Sequence, residues 1–135
     1  MHPYFEALLT APANSTWITI ARAGERTRLT AQDIRRQCQS VAVALGRAGV
    51  QPGDVVLLFL SHQVMLIPAF LGCQWASAVP AYMPPLSPRQ DRRAWLMSHE
   101  AVITHVRPRA LIADPDVASP LSGGDTSVLT LDAGA

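Results

Sequence analysis

Apolar and polar positions follow three different rhythms along this chain, and each rhythm marks an element. Val55 to Leu60 is apolar at every position, the signature of a strand covered on both faces, as in a parallel sheet. Between Thr30 and Gly49, the residues Ile34, Cys38, Val41, Leu45 and Ala48 recur every three or four positions, while Arg35, Arg36, Gln39 and Arg47 fall off that stripe. This period predicts an amphipathic helix. Thr30 is placed to cap it with Asp33 three residues on, close to a capping box, while Gly49 supplies a left-handed residue after the last turn and Pro52 stops any continuation. Thr16–Ala21 and Arg26–Leu29 alternate around Arg22-Ala23-Gly24-Glu25, which predicts a β-hairpin. A short helix over Tyr4–Leu9 precedes it.

The second half repeats a strand–helix rhythm. Ser61 is read as a cap for a helix over Gln63–Ala76, apolar almost all the way round and so sandwiched between layers. Pro68 inside it demands a bend or a late start. Ala78–Met83 is a second buried strand, short or at an edge because of Pro80 and Pro84-Pro85. Ser87-Pro88-Arg89-Gln90 has the form of a helix start, with serine as cap and proline at the first position, leading to about His105. Arg107-Pro108 breaks that helix, and Ala110–Ala113 is a third parallel strand. Asp114-Pro115-Asp116 reads as a turn, Ser119–Asp125 as a loop and Ser127–Leu131 as a last strand. The order predicts one domain of the α/β class, a layered, mostly parallel sheet flanked by helices, with an N-terminal hairpin.

Composition narrows the function without naming it. A chain of 135 residues, 49% hydrophobic and 16% charged, is long enough for one packed core and far from the profile of disorder. A net charge of +1 gives no reason to expect nucleic acid or an anionic membrane as partner. The pairs Arg35-Arg36 and Arg92-Arg93 are read as solvated polar helix faces. Cys38 and Cys73 lie within apolar patterns without metal-type spacing, which predicts buried reduced thiols and a cytoplasmic setting. The opening MHPYFEALL lacks a basic run and carries Glu6, unlike a secretory signal. Val55 to Pro88 holds no Asp, Glu or Arg, but Ser61-His62-Gln63, Pro68 and Pro80 interrupt it below the roughly 20 residues a membrane span needs.

Candidate chemistry is sparse. His99-Glu100 and His105 resemble a zinc motif only superficially, since histidines six apart stand about 240° apart around a helix. Ser122-Gly123-Gly124-Asp125-Thr126 is the one Gly-rich stretch, but a strand-like SVLTL follows it and no lysine is near. All eleven basic residues are arginine. Neither the dinucleotide fingerprint GxGxxG nor the nucleophile elbow GxSxG occurs. Asp114 and Asp116 flank a proline and read as turn residues. Trp75, Tyr82 and Trp95 read as core, with Tyr82 the one to watch because it lies near a strand's C-terminal end, where ligands of α/β sheets collect.

Taken together, Leu29-Thr30, the helix ending ALGRAGV, then QPGDVVLLFL, AFLGCQWASAVPAY and HVRPRALIAD resemble the opening of adenylate-forming enzymes. That superfamily comprises acyl-CoA synthetases, nonribosomal peptide adenylation domains and fatty acyl-AMP ligases. AVPAYMPP is most similar to the fatty acyl-AMP ligase branch. Ser77, where the family usually has glycine, and the inserted Met83 are departures. The resemblance runs from Tyr4 to Leu131 and implies the N-terminal subdomain, over residues 1–135, of a larger enzyme. Such enzymes use ATP and Mg²⁺ to convert a carboxylic acid to an acyl-adenylate and pyrophosphate. Their phosphate loop, nucleotide contacts and catalytic lysine lie beyond the matched segment. The resemblance therefore carries no catalytic, cofactor-binding or metal residue onto this chain, and implies a scaffold inactive alone that packs against the remainder of its ligase. The alternatives are a stand-alone truncated module that binds a carrier protein or another ligase subunit, a homodimer joined through an exposed apolar face, and a small nucleotide-binding α/β protein of another lineage.

Overall fold

A computed structural model describes residues 3–61, 65–121 and 126–131. The elements are α1 (Pro3–Thr10), β1 (Thr16–Arg22), β2 (Glu25–Thr30), α2 (Ala31–Arg47), β3 (Val55–Phe59), α3 (Leu66–Trp75), β4 (Val79–Tyr82), α4 (Arg92–Val106), β5 (Ala110–Ala113), α5 (Pro115–Leu121) and β6 (Ser127–Leu129). Strands β1 and β2 form the expected antiparallel hairpin, turning at Ala23 (φ +50°) and Gly24 (φ +82°). Two positive-φ residues are what a two-residue hairpin turn needs to match the strand twist.

The other four strands make a sheet in the order β4-β3-β5-β6, and every neighbouring pair is parallel. Because side chains alternate across a strand, its all-apolar sequences divide between two layers. Val56, Leu58, Ala110 and Ile112 pack with Val41 and Leu45 of α2 and with Ala69 and Cys73 of α3. Leu57, Phe59, Leu111 and Ala113 pack with Trp95 of α4 and with Val117 and Leu121 of α5. Each fully buried aliphatic side chain contributes about 2 kcal/mol by leaving water. A third cluster, Phe5, Leu8, Leu29, Ile34, Cys38 and Leu71, joins α1 and the hairpin to α2 and α3. β4 is an edge strand. The amides of Val79 and Met83 bond Asp54 and Leu58 on the β3 side, so Pro80 falls where an N–H would point off the open edge.

The caps account for most boundaries. Thr30 accepts from the Asp33 amide at 3.2 Å, and the Asp33 carboxylate takes the Thr30 amide at 3.0 Å, a complete capping box. Helices α2 and α3 end alike. The amide of Val50 bonds Leu45 O and that of Gly49 bonds Gly46 O, while Ala78 bonds Cys73 O and Ser77 bonds Gln74 O. Both are Schellman closures whose pivot is left-handed: Gly49 at φ +82° and Ser77 at φ +61°.

The late start expected of the helix around Pro68 is observed, and five other expectations are corrected. Helix α3 begins late, at Leu66, which puts Pro68 in its first turn, where a missing N–H leaves no bond unmade. Its cap position is Met65 and not Ser61, whose amide turns instead to Asp114; Gln63 lies outside the described residues. Ser87-Gln90 closes a separate turn, with Ser87 N–H on Gln90 Oε1 at 2.8 Å and Gln90 N–H on Ser87 O at 3.1 Å. Asp91, whose carboxylate accepts from the Arg93 amide, is the real cap of α4. Residues 115–121, expected as turn and loop, are helical, because Pro115 sets the first helical φ and the Asp114 carbonyl takes the amides of Val117 and Ala118. Arg35 is not a solvated surface residue. Its guanidinium crosses to α1, bonding Leu8 O at 2.7 Å and also Ala11 O, which satisfies carbonyls at the end of that helix. Strand β6 is also shorter than expected, ending at Leu129. Among the described residues no helix is long and apolar enough to cross a membrane.

Candidate functional site

The strand order fixes where a ligand site of this fold would lie. From β3 the chain crosses over α3, on one face, to β4 on one side, and then over α4, on the other face, to β5 on the opposite side. The carboxyl ends of β3 and β5 therefore flank the topological switch point, where loops diverge and leave a crevice. A crevice of about 190 Å³ does lie there, bounded by Phe59, Ser61, Leu86, Trp95, Asp114 and Asp116.

Its walls are built tightly. Trp95 meets Phe59 edge to face at 5.9 Å between centroids, and its indole N–H reaches Pro84 O at 3.2 Å, drawing the Pro84-Pro85 segment over the crevice. Beneath it, His99 stacks on Trp95 at 4.3 Å, with Nδ1 at 2.7 Å from the Trp95 carbonyl. A carbonyl only accepts, so Nδ1 carries the hydrogen. His99 is buried and His105 is exposed, so the two rings lie on different sides of α4. No group of three or more His, Cys, Asp or Glu able to hold a metal occurs among the described residues.

The polar chemistry of the crevice is acidic. Asp114 Oδ2 accepts the amide of Ser61 at 2.8 Å, so the chain's own carboxylate takes the backbone N–H next to the end of β3. Arg92 of α4 bonds the carbonyl of Asp116 at 2.8 Å. A phosphate here would meet carboxylates and a backbone donor already engaged.

The other aromatic and sulfur candidates are structural. Tyr82 donates to Leu66 O at 2.7 Å and stacks on Phe70 at 5.1 Å, pinning β4 to the first turn of α3, and burial pushes its phenol up from the usual range. Cys38 and Cys73 are free and buried, and burial pushes both thiols up to about 12. The Gly-rich segment Ser122–Asp125 lies outside the described residues.

A second, larger concavity, about 840 Å³, opens between α1 and the C-terminal end of α3. Phe5, Leu71 and Trp75 line it, with Phe5 edge-on to Trp75 at 5.9 Å, and Tyr4 and Leu9 stand at its rim. Sequence reading passed over both hollows. Trp95 looked like ordinary core and Asp114 like ordinary turn, and only the strand order brings them together.

Comparison with known proteins follows the same outline. The family model described as AMP-binding enzyme matches residues 8–132. None of the curated proteins matches the chain by sequence. Among solved structures, a fatty acyl-adenylate ligase from L. pneumophila, solved with acyl adenylate and pyrophosphate, superposes with TM-score 0.75 at 22% identity, over 98% of this chain and 22% of that one. An artificially fused NpsA-ThdA adenylation–carrier didomain from Klebsiella oxytoca gives 0.70 at 20% identity, over 95% and 23%. A benzoate CoA ligase from Burkholderia xenovorans LB400 gives 0.65 at 24% identity, over 80% and 22%. The chain thus spans less than a quarter of the length of these enzymes. With a match running almost from end to end, it belongs to the family of AMP-binding, adenylate-forming enzymes.

Proposed function

We propose that this chain is the N-terminal scaffold subdomain of an ATP-dependent ligase of the fatty acyl-AMP ligase kind, and that it does not catalyse adenylation by itself. The complete enzyme would join a carboxylic acid to ATP with Mg²⁺, giving acyl-AMP and pyrophosphate. The observation that carries this reading is the family match over residues 8–132 in a chain spanning only 22% of a ligase of the same fold. Site chemistry supports it. Adenylation brings a carboxylate against a triphosphate, so donors and positive charge must offset repulsion at the reacting phosphorus. The switch-point crevice instead presents Asp114 and Asp116. Carboxylates can hold Mg²⁺, but the described lining offers no cationic side chain to the triphosphate, and no step of the reaction is assigned to these residues. The chain's work is to hold a sheet and its helices as one wall of a larger enzyme. Two free, buried thiols suit a cytoplasmic setting.

The test compares two products. The 135-residue chain, incubated with ATP, Mg²⁺ and a panel of fatty acids, is expected to release no pyrophosphate above the buffer control. The longest product of its reading frame is expected to release it. Turnover by the short chain overturns the inactivity, and a longer product inert toward every acid overturns the ligase reading.

A further inference from the structure

Three features of the groove between α1 and the end of α3 mark it as a seat for an occupant. It is the larger of the two hollows, at about 840 Å³, and none of its described lining side chains carries a charge. Its rim exposes large apolar groups that would otherwise be expected inside, Leu9 at 42% and Tyr4 at 37%. Its walls are fixed. Arg35 on α2 holds α1 by Leu8 O and Ala11 O, and the Ala78 and Ser77 amides lock the end of α3 onto Cys73 O and Gln74 O. A groove between two such anchored walls does not close on itself when nothing fills it.

We infer that this groove is the seat of an uncharged, apolar segment of the polypeptide that completes the ligase. This rests on the reading above. The choice of occupant comes from length, because more than three quarters of the L. pneumophila ligase lies outside the part this chain covers, and that mass has to pack on some face. Of the two edges of the described sheet, β4 presents Pro80 where a pairing amide would be and so offers an added strand a broken ladder, and β6, three residues long, offers only a short one. The groove offers instead a preformed apolar surface, with Gln74 and Ser77 as its uncharged polar points. An occupant bringing a charge there would lose hydration without gaining a partner.

Hydrogen exchange decides it, comparing the 135-residue chain with the longest product of its reading frame. Amides of α1 and of residues 74–78 are expected to exchange about tenfold or more slowly in the longer product. Leu9→Asp should return them toward the rates of the short chain. Leu9 is exposed but lies in the last turn of α1, where a carboxylate opposes the helix dipole, so in the short chain itself the substitution should lower the melting temperature by at most about 4 °C. Pyrophosphate release by the longer product keeps the two claims apart. If it is active and the groove amides exchange equally in both products, the docking inference falls and the ligase reading stands. If it is inactive, or the frame ends at Ala135, the ligase reading falls and takes the docking inference with it. A dimer of the longer product that Leu9→Asp dissolves puts a second copy in the groove and also overturns the inference.

Discussion

Ser77 holds a left-handed backbone, φ +61°, at the pivot of the α3 closure, where its counterpart on α2 is Gly49. A side chain with a Cβ is strained there by roughly 1–2 kcal/mol, part of which glycine would return as extra freedom in the unfolded chain. Ser77→Gly is therefore expected to stabilise the fold by about 1 kcal/mol and to raise the melting temperature by about 4 °C. A melting temperature that stays or falls would mean the serine side chain makes up for its strain. Gly72 shows the opposite constraint. A Cβ built there would lie 2.5 Å from Val41 Cβ and 2.6 Å from its Cγ1, so α2 and α3 touch at a point with no room for a methyl group. Gly72→Ala should cost about 3 kcal/mol in urea denaturation, as overpacking of a tight core does. Adding Val41→Ala should recover only part of this, because the Val41 Cβ stays in place. Full recovery would show that the branched methyls alone set the helix spacing.

At the scale of elements, α5 shows how a helix unreadable from its sequence is held. Pro120, inside it, has no N–H to offer the carbonyl of Asp116 four residues earlier, and Arg92 from α4 donates to that carbonyl at 2.8 Å. Arg92→Ala should destabilise the fold by about 1 kcal/mol and speed amide exchange in residues 117–119. In a Pro120→Ala background, where the helix can supply its own bond, the same substitution should have little effect. Equal losses in both backgrounds would show that Arg92 acts elsewhere. Local turn chemistry in DPD suggested no helix, since the stabilising donor comes from 24 residues away. Arg35, whose carbonyl partners in and just after α1 lie 27 and 24 residues back, escaped for the same reason. By contrast the capping box at Thr30, the glycine closure at Gly49 and the all-apolar β3 were legible, because the groups that decide them are neighbours in sequence. Ser87-Pro-Arg-Gln misled because Asp91, four residues on, competes for the cap and wins. The crevice was the least legible part: Ser61 and Asp114, 53 residues apart, meet only once β3 and β5 pair.

Across the whole molecule, the two thiols lie where the layers meet. Cys38 belongs to the cluster under α1 and the hairpin, Cys73 to the one between the sheet and α2–α3, and burial is the main cause of the shift in both. In the folded chain each loses its proton only at about 12, against 9.0 for an ordinary thiol. Between those values the unfolded chain holds fewer protons than the folded one, so stability must fall as pH rises through that window and be complete below it. The Tyr82 phenol, also pushed up by burial, adds in the same direction above its ordinary 10.0. Asp33 acts at the other end. The Thr30 backbone bond holds its carboxyl below the ordinary 3.8, so the capping box contributes above that value and is lost as pH falls further. Urea midpoints measured upward from neutrality should accordingly hold level and then decline from about pH 9, with both thiols silent toward a disulfide reagent until the chain unfolds. Cys38→Ala with Cys73→Ala should lower the midpoint at neutral pH, because each leaves a cavity, yet flatten the decline above it. A decline of the same steepness in that double variant would assign the alkaline limb to the tyrosines. A thiol that reacts in the folded chain at neutral pH would mean that the junction of α2 and α3 opens on its own, and a wall that opens there could not keep the groove beside it in shape.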